Sequence, residues 1–442
     1  ERRSVAVGRK LGGPADAECH SGAAADATRG RAPEQQLIPR RPQAVSPPRV
    51  GIVAGPDAGH AFPAFALAER CREAGWEATV FTGTQWYAAA GRRDIDIAEL
   101  PELRPDDSDD DLDAGEKLSG RAARMAVRLA PVLASRRIDL VVSDVITVAG
   151  LWAAELTGLP FVELSPHPLY APSKGLPPVG AGLTPGRGFR GRLRDAAMRT
   201  ASNRSVALGV RQRAAARRGI GLGDHGPVPA ARLIATLPAL EVWRPDWPRD
   251  THLVGPLLWE PTDRIFERPS GDGPLVVVAP STAVTGCQDL LDETLGALGA
   301  ISSRTPVRAV ISSLDPPPSD TLARAGAATV SFGLGRQDEL LADADLVVCG
   351  GGHGMLAKSL LAGVPVVVVP GGGDQWELAN RVSRQGSGVL VRPADAASIA
   401  EAIEAVLRDP AHAAAAARAR ESATAVTDPI DVLRGVLASA GT

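Results

Sequence analysis

Residues Asp345–Gly388 read DLVVCGGGHGMLAKSLLAGVPVVVVPGGGDQWELANRVSRQGSG, and this stretch decides the fold. Leu346–Cys349 is a short apolar run suited to a strand buried on both faces of a parallel sheet. Gly350, Gly351, Gly352 and Gly354 then permit a tight turn and close approach of backbone to a ligand. A helix beginning near His353 would direct its free N–H groups and the positive end of its dipole at whatever occupies that turn, which makes an anion site. Val364–Val369 predicts the next buried strand, ending in Gly371-Gly372-Gly373-Asp374-Gln375. Ligands of open α/β sheets bind at the carboxyl ends of strands. A carboxylate beside a carboxamide there offers acceptors and donors to sugar hydroxyls.

The ordered block resembles the donor-binding half of GT-B glycosyltransferases of the UDP-glycosyltransferase-like family, which carry a His-Gly-Gly-x-Gly-Thr turn, a Gly-Val-Pro strand entry and an Asp-Gln or Glu-Gln pair. Gly351, Gly352, Gly354, Gly363-Val364-Pro365 and Asp374-Gln375 fall in register. Gly350 stands at the family's phosphate-binding His, Met355 at its Thr and Lys358 where Glu is frequent. His353 is a candidate to supply the missing imidazole, beside the plainer reading of a capping or solvent-facing His.

Composition bounds the rest. With 442 residues, two domains are expected. A net charge of -3 argues against a nucleic-acid-binding protein, and 4% aromatic residues argue against base-stacking platforms. Cys19, Cys71, Cys287 and Cys349 have neither zinc nor disulfide-framework spacing, which fits reduced thiols in a cytosol. No apolar run is long enough to span a membrane. The abundance of Ala and Arg suggests a high-GC bacterial genome.

Residues 1–48 lack hydrophobic period and a signal-peptide core and read as a disordered tail. A βαβ opening follows: a strand at Arg49–Val53, a turn at Gly55–His60, a helix over Phe62–Ala74 and a strand at Glu77–Phe81. Ile138–Val142 and Pro160–Leu164 predict further strands around a helix at Val148–Leu156. Arg104–Lys117 is an acidic run that reads as a solvated loop. Gly186–Gly219 is dense in Arg, with Leu193, Met198, Val206 and Val210 interleaved. It predicts either a solvated helix face or a basic amphipathic helix in peripheral contact with an anionic membrane.

The expected fold is therefore α/β, two facing Rossmann-like doubly wound domains with a cleft between them. Residues 49–255 would form an acceptor-binding domain, 256–273 a linker and 274–442 a nucleotide-sugar donor-binding domain.

Gly59-His60-Ala61-Phe62-Pro63 matches the family's Gly-His-x-x-Pro signature, in which the His is the general base. An acceptor hydroxyl must lose its proton as it attacks the anomeric carbon, and imidazole titrates near neutrality. Asp144 ends a predicted strand of the same sheet where the family places an orienting carboxylate; helix capping is its alternative.

On the donor side the resemblance implies pyrophosphate on Gly351, Gly352, His353, Gly354 and Met355, and sugar hydroxyls on Asp374 and Gln375. Ser281 and Thr282 correspond to a phosphate-contacting loop, and Gln337 to a Pro-Gln element near the base. Leu334 stands where an aromatic often stacks, so UDP- and dTDP-linked sugars both remain. No metal and no cofactor beyond the nucleotide sugar is expected, and the implied mechanism is inverting displacement.

The acceptor is expected to be a hydrophobic small molecule or lipid, bound by Pro166–Arg249. Val145, Trp152, Phe161 and His167 are candidates to line its pocket, or to be core. The alternative function is a catalytically weak nucleotide-sugar-binding or accessory protein of the same fold. A GT-B epimerase is disfavoured by the Gly-His-x-x-Pro element. An NAD-dependent enzyme is disfavoured by the absence of a convincing G-x-G-x-x-G turn with its ribose-binding acid.

Overall fold

A computed structural model describes residues 46–103, 113–281, 286–313 and 316–440. The first half runs β1 (Arg49–Val53), α1 (Ala58–Glu73), β2 (Glu77–Thr82), α2 (Tyr87–Gly91), β3 (Asp96–Glu99), α3 (Ala114–Ser135), β4 (Leu140–Asp144), α4 (Ala149–Thr157), β5 (Phe161–Ser165), α5 (Gly188–Gly219), β6 (Ala231–Ile234) and β7 (Thr251–Leu253). The second runs β8 (Leu275–Ala279), α6 (Leu290–Ser302), β9 (Arg308–Ser312), α7 (Ser319–Ala323), β10 (Thr329–Gly333), α8 (Gln337–Leu341), β11 (Leu346–Cys349), α9 (His353–Ala362), β12 (Val366–Val368), α10 (Asp374–Gln385), β13 (Gly388–Leu390), α11 (Ala396–Arg408), α12 (Pro410–Glu421) and α13 (Pro429–Ala440).

Each half is built on one wholly parallel sheet, ordered β3-β2-β1-β4-β5-β6-β7 and β10-β9-β8-β11-β12-β13. Central strands such as β4 and β8 are buried along their whole length, as apolar runs covered by helices on both faces should be. Each sheet reverses its strand order once, between β1 and β4 and between β8 and β11. A crevice opens at such a reversal, because the flanking connections leave to opposite faces. The two-domain doubly wound architecture expected from the sequence is the one observed.

The domain boundaries differ from expectation in two places. The last helix, α13, does not stay with the second half. Ile430, Val432, Leu433 and Val436 share one apolar core with Val50, Ile52 and Phe65 of the first half. The sequence shows an amphipathic helix there, but not which sheet covers its apolar face. The connector after β7 is also not a free linker, since Leu257 and Trp259 join the first core and Phe266 the second. Leu237 and Leu240, ahead of β7, pack in the second core as well.

The Arg-dense segment is helical, and of the two readings it is the solvated face that the structure shows. Phe189, Leu193, Val206, Leu208 and Val210 are exposed among the arginines, and only Asp195, Ala214 and Arg217 are buried. At 100° per residue these apolar positions spread over about 200° of the circumference, wider than a single apolar stripe. No described helix is long and apolar enough to cross one. Of the acidic run, residues 104–112 lie outside the described residues. Its end is helical rather than loop: Asp113 caps α3 by accepting from the Gly115 and Glu116 N–H groups. The expected tail also lies outside the described residues up to residue 45, while the Pro48 carbonyl already accepts from the Glu77 N–H.

Because Leu433 is fully buried in the first core, Leu433→Ala should cost about 2–5 kcal/mol. Leu193→Ala on exposed α5 should stay within about 0.5 kcal/mol. Urea unfolding of the two variants beside the parent checks both.

Candidate active site

In the first half, His60 and Asp144 flank the strand-order reversal, one in the first turn of α1 just beyond β1 and the other at the end of β4. The expected helix start at Phe62 is therefore too late. α1 begins at Ala58, so His60 is its third residue, and the His60 and Ala61 N–H groups both donate to the Asp57 carbonyl. His60 Nδ1 lies 2.9 Å from Asp144 Oδ1. The other carboxylate oxygen, Oδ2, accepts from the Thr147 hydroxyl at 3.0 Å and from the Thr147 N–H at 3.3 Å. Asp144 is 1% exposed, so both oxygens are committed. Oδ1 thus pairs with His60, while Oδ2 holds the Thr147 turn and does not cap α4, whose N-cap, Val148, receives no side-chain bond.

A carboxylate only accepts, so the proton between the pair belongs to Nδ1 and the imidazole lone pair to Nε2. Burial draws the His60 imidazole down. The hydrogen bond and charge of Asp144, with the charges of Asp57 and Asp374, outweigh it and hold the ring above its ordinary value. Asp374 belongs to the second half, so the two strand reversals face one site.

In that second half, Gly350 and Gly351 follow β11 and Ser281 follows β8, again on either side of a reversal. Gly351 sits at φ 83°, and a Cβ on it would meet Val368 Cγ1 at 2.8 Å. Only glycine serves both constraints. α9 starts at His353 as expected, behind an N-cap glycine, Gly352, that supplies no side-chain cap. Added Cβ atoms at Gly352 and Gly354 would meet nothing within 4 Å, so the helix N-terminus is sterically open. Its first N–H groups lack intrahelical acceptors, which suits an anion.

Asp374 and Gln375 open α10 rather than ending a turn. Gln375 is buried, and its amide braces two loops: Oε1 accepts from the Gly371 N–H at 3.0 Å and Nε2 donates to Ser281 Oγ at 2.9 Å. Asp374 is half-buried, with Oδ2 accepting from the Tyr170 hydroxyl at 3.3 Å.

Comparison with known proteins agrees with this geometry. Residues 336–438 match the model of the erythromycin biosynthesis protein CIII-like C-terminal domain. The chain is 28% identical over 342 residues to the 4'-demethylrebeccamycin synthase of Lentzea aerocolonigenes, covering 72% of this chain and 78% of that one. The solved glycotransferase of kitacinnamycin superposes with a TM-score of 0.69 at 19% identity, over 89% of this chain and all of that one. A glycosyltransferase of Streptomyces sp. SF2575, solved with thymidine diphosphate, superposes with a TM-score of 0.56 at 18% identity, over 88% and 99%.

The chain is a glycosyltransferase with the GT-B fold, similar to natural-product members of the UDP-glycosyltransferase-like family.

Several residues expected in the glycosyltransferase's site have other partners. His353 does not offer a cation. Its Nε2 is 2.8 Å from Thr236 Oγ1, across the seam between the halves, and burial with the nearby His167 and Arg381 charges pushes the imidazole down to about 3. Part of its surface is accessible, but the ring is neutral and engaged. The Gln337 side chain is also committed, donating to Ser312 Oγ at 2.8 Å and accepting from Lys358 Nζ at 2.9 Å. Met355 packs against the second core, and Thr282 lies outside the described residues. At Gly350, a Cβ would meet Ser281 Cβ at 3.1 Å, so Ser281 partly fills the space of the family's His. Trp152 and Phe161 are core, whereas Val145 and His167 remain half-buried.

The sequence also hides some participants. Thr147 had a signal, a hydroxyl three residues after a strand-ending Asp. Glu260 had none: from the connector it accepts from Lys358 Nζ at 2.6 Å and from the Gln337 and Asp338 N–H groups, supplying a carboxylate beside the lysine that stands at the family's Glu. Among the described residues, no group of three or more His, Cys, Asp or Glu is gathered to hold a metal ion.

His60 should titrate above 6.5 in the folded protein and fall in Asp144→Asn, whereas His353 should stay neutral down to about pH 4. Histidine ring NMR signals followed against pH measure both.

Proposed function

We propose that the glycosyltransferase moves a hexose from a nucleoside diphosphate sugar to a hydroxyl of a hydrophobic acceptor, with inversion, His60 acting as general base. The observation carrying this reading is the Asp144–His60 contact, which fixes Nδ1 as the protonated nitrogen and leaves Nε2 to accept a proton. In one displacement, Nε2 takes the acceptor O–H proton. The acceptor oxygen bonds the anomeric carbon as the bond from that carbon to the phosphate oxygen breaks. The nucleoside diphosphate leaves with the electron pair, and attack from the opposite face inverts the centre.

The open N-terminus of α9 is suited to the departing diphosphate, with Gly351, Gly352 and Gly354 allowing close backbone approach. Asp374 supports the sugar. Gln375 acts through the two loops it braces, with Ser281 as its partner. The thymidine diphosphate in the Streptomyces neighbour favours a dTDP-linked donor, with UDP the competing one. The natural-product names of the relatives favour a hydrophobic aglycone.

Calorimetric titration with UDP, dTDP and their glucose conjugates tests the donor side. One nucleotide sugar should bind, and Asp374→Ala should weaken it about tenfold while leaving the free diphosphate unaffected. In an acceptor screen, His60→Ala should lower kcat by about 10²–10⁴ without changing donor affinity. The kcat/KM of the parent should fall as pH drops through a value above 6.5, because protonated imidazole cannot accept, and Asp144→Asn should move that limb to lower pH. Binding without transfer to any acceptor would replace this reading with the accessory-protein one.

A further inference from the structure

His167 is an imidazole of the cleft that the displacement step does not use. It follows β5 by two residues, and β5 pairs with β4 so that Leu164 lies beside Asp144. The loop carrying it is tied down at several points. The Ala235 N–H donates to the Ser165 carbonyl at 2.8 Å, and the Pro166 backbone hydrogen-bonds the His353 ring of α9. The Arg244 guanidinium, 3% exposed, donates to the Leu169 and Ala171 carbonyls. The His167 ring is itself fixed in orientation and in tautomer. Nδ1 lies 2.8 Å from the Pro168 carbonyl and 3.2 Å from Ser165 Oγ, whose own proton goes to the His167 carbonyl at 3.0 Å. Both oxygens can only accept from the ring, so Nδ1 carries the proton and Nε2 the lone pair. The ring stacks on Tyr170, with centroids 4.4 Å apart and planes 16° apart. Burial pushes the imidazole below its ordinary value, and the charges of Asp374, His60 and Asp144 all reach it.

A histidine that only stapled its loop would need Nδ1 alone. Here Nε2 has no hydrogen-bond partner among the described residues, and the side chain is only half-buried. His60 has the same valence, with Nδ1 protonated against Asp144 and Nε2 left to accept. Two accepting nitrogens beyond neighbouring strand ends suit a substrate that brings two O–H groups. One loses its proton to His60. The other keeps its proton and donates a hydrogen bond to the weaker base, which orients the first.

We propose that His167 is a specificity-determining residue on the acceptor side: its Nε2 accepts a hydrogen bond from a second acceptor hydroxyl, next to the one that attacks, so the site selects aglycones bearing a vicinal pair of hydroxyls. This rests on the reading of His60 as the general base.

The test is the kcat/KM of the full chain for glucosyl transfer to 2,3-dihydroxynaphthalene, 2-naphthol and 3-methoxy-2-naphthol, with dTDP-glucose and UDP-glucose each offered as donor. The methyl ether fills the same place as the second hydroxyl and cannot donate. The parent should favour the diol over both mono-ols on the order of tenfold. His167→Asn sets an amide N–H where Nδ1 stands and removes the Nε2 acceptor, so it should abolish that preference. His167→Gln returns an acceptor oxygen near Nε2 and should restore part of it. Calorimetric affinity for the nucleotide sugar should be the same in both variants as in the parent. A parent that does not discriminate, a preference that survives His167→Asn, or a loss of nucleotide-sugar affinity instead would overturn the role of His167 while leaving the transfer reaction standing. Transfer by His60→Ala at the parent's rate, or no transfer by the parent to any of these acceptors, would overturn the reading of His60, and the proposal with it.

Discussion

One buried guanidinium, Arg381 of α10, ties the two halves together where the site forms. Its Nη1 donates to the Leu240 carbonyl at 2.8 Å, it pairs with Glu377 at 3.0 Å on its own helix, and it lies 3.6 Å from Glu241 of the first half. A charge taken out of water is tolerated only when its donors are met, so this contact is strongly directional. Glu241 in turn holds the Leu169 N–H, and Leu169 carries Tyr170. The position of Asp374 relative to the loop after β5 is thus tied to one network of hydrogen bonds.

The two histidines nearest that seam take opposite characters from their surroundings. His60 has a buried carboxylate partner and is held above its usual value, ready to keep a proton it receives. His353 has the Thr236 hydroxyl, a backbone hydrogen bond to Pro166 and nearby positive charge, with no carboxylate among them, and burial keeps it neutral. The contrast matters because both occupy the first turn of a helix following a central strand. Position in the fold is shared, and the partner decides the chemistry. Without an imidazolium at α9, charge complementarity for a diphosphate there falls to backbone N–H groups and the helix dipole.

What the sequence discloses and what it conceals divide along a physical line. Glycine turns, apolar strand runs and the Asp144 and His60 positions are local, since backbone freedom and continuous apolar burial are written within a few residues. The two parallel sheets and the facing reversals follow from them. The partners that cross between distant segments are not local. α13 carries the same amphipathic signal whether it covers the first sheet or the second, and only packing assigns it to Val50 and Phe65. Glu260 is one acid in a polar connector until the fold places it against Lys358. Leu193, Met198, Val206 and Val210 interleave with arginine in a way that suggests an amphipathic face, yet together with Phe189 and Leu208 they fall all around α5.

The replacement of Glu by Lys at 358 shows how such a site tolerates a reversed charge. A buried ammonium with no counterion would cost several kcal/mol, and the connector answers with Glu260 at 2.6 Å, both side chains being only 9% exposed. The same carboxylate caps α8 through the Gln337 and Asp338 N–H groups. The pair therefore fixes the connector to the donor half at the place where Gln337 stands. A substitution that looks disabling in a motif becomes a structural tie once its partner is in view, and its consequence is positional: the carboxylate at this point now enters from the segment joining the halves, not from α9.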